Sequence, residues 1–330
     1  MRYGLNKKLL WVPFLLGVTI LLGGMPSRDR VSTASNGFNA AALGEMLFED
    51  VILSADFSIS CATCHKPEFA FADTVKFSVG INGHPGTRNT PSAMNVLGRT
   101  ALFWDGRASS LEEHALQPIS NPLEMGLPIP VAIERLKNHP EYPTLFDKVY
   151  GEAPDSNLLA NALAEFQRTL ETVNTQWDRY AIHGEDIDPA VLRGKAIFDS
   201  KGMCLECHFT PDFTADEFKN IGTFDGGEFA DPGRYKITGD SSDLGKFKVP
   251  GLRNVAITAP YMHNGMFATL EEVLEFYNDT RSVIPHPINQ DSLLQEPLGL
   301  TEKERGDVVA FLRALTDDRF LHLLTESQRE

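Results

Sequence analysis

The chemistry-bearing side chains of this chain concentrate in two short stretches, ISCATCHKPEFAF at residues 59–71 and GMCLECHFT at residues 202–210. Each sets two cysteines three positions apart with a histidine directly behind the second: Cys61, Cys64 and His65, then Cys204, Cys207 and His208. Four cysteines in an exported chain would ordinarily suggest disulfides. Here all four fall in these two units and none is left over. A thioredoxin-like C-x-x-C sits in a βαβ context, and no such pattern surrounds either unit. Zinc fingers leave a gap before a histidine pair instead of placing one histidine behind each cysteine pair. Covalent c-type haem attachment fits both units: two thiols form thioethers to the vinyl groups, and the adjacent imidazole is placed under the iron. Two copies imply two haems.

Each unit needs its own helical wrapper, and Cys61 and Cys204 stand 143 positions apart. A chain of 330 residues, 42% hydrophobic, is long enough for two domains of ordinary size. The first haem domain is expected over 36–180. In it FNAAALGEMLFE is an apolar-periodic helix leading to the first unit, and Pro and Gly punctuate residues 66–95 as loop. DSNLLANALAEFQRTLETVNTQW reads as one long helix capped by Asp155 or Ser156, with Leu159, Leu163, Phe166 and Leu170 on one face. The second domain, 181–325, opens with Asp188 as cap and Pro189 in the first helical position. A Gly- and Asp-rich stretch, 224–245, has room for at most a short hairpin. Two T-x-x-E capping boxes, Thr269 to Glu272 and Thr301 to Glu304, each start a helix. The expected fold is mainly α: two cytochrome c-like haem domains with long loops and little β, repeated in function rather than in detailed sequence.

Residues 1–25 carry Arg2, Lys7 and Lys8, no acid, and the apolar run LLWVPFLLGVTILLGG. That is the pattern of a secretory leader, while the run is marginal as a membrane span. A cleaved leader is the first reading and an uncleaved anchor the second; both place the rest of the chain in the periplasm. The formal net charge is −15, which makes nucleic acid an unsuitable partner. An acidic surface speeds encounter with basic partners in a salt-dependent way, and it is equally an ordinary means of staying soluble.

An ordered series of motifs, LSADFSISCATCH, RNTPSAMN, FWDGR, QPISNPLEMG, the second C-x-x-C-H and VPGLRNVAITAPYMHNG with TLEEVLEFY, resembles the bacterial di-haem cytochrome c peroxidase family, which includes the MauG-type enzymes. The resemblance covers most of the chain behind the leader. It implies that Trp104 lies between the two haems, where an oxidisable indole suits hole transfer; a buried aromatic of an interdomain core is the plainer reading. It implies that Glu124 stands above the first haem, where a carboxylate can take the proton from bound hydrogen peroxide and return it to the departing oxygen. Pro118 would pack over the same face. His114 stands where the family commonly has glutamine, and its charge decides what hydrogen bond it makes. Asn89, Thr258 and Pro260 match the oxygen ligands of an interdomain calcium ion.

The second half departs from typical peroxidases of the family. Where these carry the methionine ligand of a His/Met haem, this chain has Tyr277, as in the MauG branch. A hard, anionic phenolate would lower the iron's potential. In the other reading Tyr277 only packs its helix and Met262 or Met266 is the ligand. His263 is expected to touch a haem without ligating it. His84, in GINGHPGTRN, lies in the loop from which some members close the first haem, but nearer to Asn89 than the switching histidine, so an open or weakly closed site is expected. Gly202 stands where MauG has a tryptophan two residues before its second unit.

The resemblance thus implies a periplasmic peroxidase that reduces hydrogen peroxide with electrons from a small cytochrome or copper protein, a homodimer being compatible with it. The alternative is a MauG-type oxidase that modifies residues of a protein substrate by long-range electron transfer. Glu124 and Trp104 argue against a third function, a di-haem carrier without catalysis.

Overall fold

Asn39 starts the first helix by accepting the Ala42 N–H on its side-chain oxygen at 3.0 Å, as short polar caps do. That helix, α1 (Ala40–Glu49), opens a computed structural model that describes residues 38–324. The further helices are α2 (Cys61–Cys64), α3 (Leu111–Ser120), α4 (Ile129–Asn138), α5 (Tyr142–Tyr150), α6 (Ser156–Thr169) and α7 (Gln176–His183). After them come α8 (Pro189–Asp199), α9 (Tyr235–Thr238), α10 (Leu270–Asn278) and α11 (Glu302–Arg313). Among the described residues the only strands are β1 (Phe218–Lys219) and β2 (Phe247–Lys248), an antiparallel pair that brackets the Gly/Asp-rich stretch. The fold is mainly α, as expected. The leader lies outside the described residues, among which no helix is long and apolar enough to cross a membrane.

Local signals place the helix starts. Asp155, not Ser156, caps α6 through the Leu158 N–H at 2.8 Å, and Asp188 caps α8 with Pro189 behind it. Both T-x-x-E boxes close reciprocally. The long helix expected over 155–177 is instead two, because tertiary hydrogen bonds claim the residues between α6 and α7. The Leu170 carbonyl accepts the Asn95 N–H at 2.8 Å, and Thr172 exchanges hydrogen bonds with the Asn95 side chain at 2.8 and 2.9 Å.

The two halves place matching residues at several packing positions. Gly44 of α1 lies against the Ala162 carbonyl of α6, and Gly194 of α8 lies against the Asp307 carbonyl of α11; a Cβ at either glycine would overlap that oxygen. Four residues on, Phe48 meets Phe166 at 5.1 Å between ring centroids and Phe198 meets Phe311 at 5.2 Å. Phe71 and Phe213, both left-handed (φ 56° and 55°), complete the two triads at 6.1 and 5.7 Å. Each triad sits in a separate buried core. The chain crosses between the cores: Trp177 packs on the second, and Ile257 and Phe320 pack on the first.

The seam is pinned by another matched pair. Asn95 and Asn254 (φ 57° and 64°) donate their backbone N–H groups to Leu170 at 2.8 Å and Leu315 at 3.0 Å. Both side-chain amides then meet the hydroxyl of Thr172, each at 2.9 Å.

Candidate active site

The first attachment unit forms a single helical turn, α2, in which positions i and i+3 share a face, so both thiols point the same way. His65 follows at its end. Its Nδ1 donates to the Phe71 carbonyl at 3.0 Å, and in the other half His208 Nδ1 donates to the Phe213 carbonyl at 2.7 Å. A carbonyl only accepts, so each imidazole carries its proton on Nδ1 and keeps Nε2 for a ligand, the usual orienting contact of a metal-bound histidine. Burial depresses both basicities, His208 to about 4, so the rings are neutral as ligation requires. None of the four cysteines is paired in a disulfide, and burial pushes the Cys61 and Cys204 thiols up to about 12. Among the described residues no cluster of His, Cys, Asp or Glu converges as a metal-ion site. The donor sets thus fit covalent haem in each half.

A cavity of about 590 Å³ opens over His65 and the first cysteine pair. Trp104, His114, Pro118 and Glu124 line it, so the three residues assigned to the distal side come together with the tryptophan assigned between the haems. Glu124 is half-buried and accepts from Asn121 Nδ2 on Oε1 at 2.7 Å. Burial raises its pKa above the usual carboxylate range, against the pull of Arg107 and the Asn121 hydrogen bond. His114 stacks on Phe103 at 4.2 Å, and its Nδ1 is buried without a partner. Burial, aided by His65 and Arg107, holds its basicity down to about 3, so it enters the pocket neutral. Pro118 lies inside α3, where it has no N–H to give the His114 carbonyl.

Trp104 is fixed from both halves. Its Nε1 donates to the Asn89 carbonyl at 2.8 Å, its own carbonyl accepts from Lys248 at 2.8 Å, and its ring meets His263 edge-on at 6.5 Å. His263 is buried and stacked on Phe247 at 3.6 Å, and its backbone carbonyl accepts the Asn89 N–H at 2.7 Å. Asn89, Thr258 and Pro260 all line the same cavity. His84 is exposed; its loop is held down by the Ile81 N–H on the Glu124 carbonyl at 2.9 Å.

The Trp104 loop has a twin. Leu102 bridges Ala108 and Tyr261 bridges Phe267, with Phe103 and Met262 both left-handed (φ 66° and 70°) and a left-handed glycine three residues later in each, Gly106 and Gly265. Each loop feeds a capped helix that begins Leu-Glu-Glu, α3 and α10. In this register His263 matches Trp104, and Tyr277 of α10 matches Pro118 of α3. Tyr277 packs in an apolar cluster with Met262, Met266 and Val273. Burial first, then the neighbouring Cys207 and Cys204 sulfurs, keep its phenol protonated in the absence of a counter-charge. Sequence reading missed Arg107 and Asn121, although FWDGR and the Asn-Pro after a helix end were visible.

A cavity that joins a thiol–imidazole set to a carboxylate, with a tryptophan at the seam to a second such set, belongs to a two-haem redox enzyme. The chain belongs to the di-haem cytochrome c peroxidase family, whose profile matches residues 39–186. It is 40% identical to the methylamine utilization protein MauG of Methylorubrum extorquens over 83% of this chain and 77% of that one. It is 34% identical to the cytochrome c551 peroxidase of Nitrosomonas europaea over 91% and 86%. A solved MauG-like protein associated with microbial copper homeostasis superposes with a TM-score of 0.79 at 30% identity, covering 85% of this chain and 92% of that one. The chain is therefore an oxidoreductase that binds two c-type haems.

Proposed function

We propose that this is an exported peroxidase that reduces hydrogen peroxide at the first haem site with electrons entering through the second from a small cytochrome or copper protein. The observation that carries it is Glu124 in the cavity over His65, which Pro118 also lines. When bound, the first haem supplies the redox-active iron at which the O–O bond is reduced. Glu124 takes the peroxide proton and returns it to the departing oxygen. Trp104, hydrogen-bonded into both halves, carries electrons across the seam. Tyr277 ligates the second iron through its phenol oxygen, at the α10 position that matches Pro118. Each half carries one haem, and oxygens of Asn89, Thr258 and Pro260 hold a calcium ion between them. Export to the periplasm rests on the basic, apolar N-terminal run and on the attachment chemistry.

A second reading, a MauG-type oxidase acting on a protein substrate, is favoured by Tyr277 and by the likeness to MauG. Steady-state turnover of peroxide with reduced cytochrome c, beside rapid-scan spectra after peroxide addition, separates the two. Fast turnover supports the peroxidase. A long-lived oxidised state with slow cytochrome oxidation supports the second reading, and no reaction with peroxide rejects both.

A further inference from the structure

We propose that Arg107 and Asn121 are positioning residues that keep Glu124 a base, with one carboxylate oxygen fixed and the other left for the peroxide proton. The inference rests on the proposed role of Glu124. Asn121 cannot present its amide the other way round: its Oδ1 accepts the Leu123 N–H at 3.0 Å, so Nδ2 faces Glu124 Oε1 at 2.7 Å. Its backbone carbonyl also accepts the N–H groups of Glu124 at 3.0 Å and Gly126 at 2.8 Å. One residue thus holds the backbone and the carboxylate of Glu124, leaving Oε2 without a hydrogen bond.

Arg107 supplies the charge, and it too is locked. Its guanidinium lies 3.4 Å from the Phe103 ring centre, its Nε donates to Gln117 at 3.1 Å, and its Nη1 donates to both oxygens of Asp105 at 3.0 and 3.2 Å. Asp105 is held in turn by Arg88 at 2.6 Å, and Arg88 grips Asp231 of the second half at 2.7 and 3.0 Å. Burial alone would drive Glu124 toward its neutral acid, which cannot accept a proton; a fixed cation and a hydrogen bond to the anion oppose that. Among titratable groups, Arg107 acts on Glu124 and Glu124 acts on Cys61 and Cys64 of α2, while His114 of α3, His65, Arg88 and Asp105 line the same cavity. His114 is neutral, and the sulfurs do not titrate once they are thioethers. The loop over Glu124 contributes only the Ile81 N–H. In the reaction a proton leaves peroxide for Oε2 and returns to the departing oxygen; two electrons from the redox partner and two solvent protons complete two waters.

The test is the rate of reaction of the di-haem protein with hydrogen peroxide as a function of pH, for Arg107→Gln, Asn121→Ala and Glu124→Gln. In the first two, the acid limb is expected to move up by about one pH unit, slowing the reaction about tenfold on the acid side while leaving it near wild type in alkali. Arg107→Lys and Asn121→Ser are the milder variants should either change impair haem loading, and Arg107→Lys should return part of the shift. An unmoved acid limb, or a loss equal at every pH, overturns the positioning role. If Glu124→Gln itself reacts at the wild-type rate, the parent reading of Glu124 fails instead.

Discussion

Pro118 and Tyr277 occupy matching positions on α3 and α10, so the two sites differ by a ring with no donor against a phenol. In the proposed function that difference decides which iron is open to peroxide and which is closed. Tyr277→Met should raise the potential of the second haem, because a neutral thioether favours ferrous iron where an anionic phenolate favours ferric. A redox titration beside magnetic spectra of both proteins measures it, and an unchanged potential would remove Tyr277 from the ligand position. In the first half, Glu124→Gln should keep both haems and slow the peroxide reaction by about 10²–10⁴-fold, the usual share of general acid–base catalysis. Stopped-flow absorbance reads this directly. The residue types in C-x-x-C-H were legible from sequence because attachment is a matter of covalent spacing. The neutrality of His114 was not, since it follows from burial and from Arg107 and His65 beside it.

At the scale of elements, the helix pairs α1 with α6 and α8 with α11 set where each attachment unit stands. Gly44 and Gly194 permit the crossings, because their missing Cβ leaves room for a carbonyl of the partner helix. Gly44→Ala and Gly194→Ala should each destabilise the chain by about 1–3 kcal/mol, the usual range for overpacking a tight contact. Thermal denaturation of each variant, with haem content measured alongside, checks this; an unchanged midpoint in both would show that the helices separate without loss. Helix starts were legible because caps and capping boxes are satisfied within four residues. The end of α6 was not, because Leu170 and Thr172 leave the helix to bond Asn95, which lies far back in the chain.

At the scale of the molecule, the halves are joined by ion pairs as well as by the Asn95, Thr172 and Asn254 seam. Asp231 is half-buried, and despite the cost of that burial its hydrogen bonds and charge pairing with Arg88 hold its carboxyl down to about 2. A depressed carboxylate stabilises the fold fully above its unfolded range, near 4, and the contribution is lost as pH falls toward 2. Asp231→Asn should therefore reduce stability by about 2 kcal/mol near neutrality. In acid the gap to wild type should close, and denaturant titrations at several pH values should record that convergence. The sequence by itself determined the attachment sites, the caps that begin the helices, and the mainly helical class, since all of these depend on neighbours within a turn or two. Only the tertiary structure decided that Tyr277 matches Pro118, that the charge of Arg107 acts on Glu124, and that Arg88 reaches Asp231. Each depends on packing or hydrogen bonds that form only when distant or separately folded segments meet, and no local pattern records which partner a polar side chain will find.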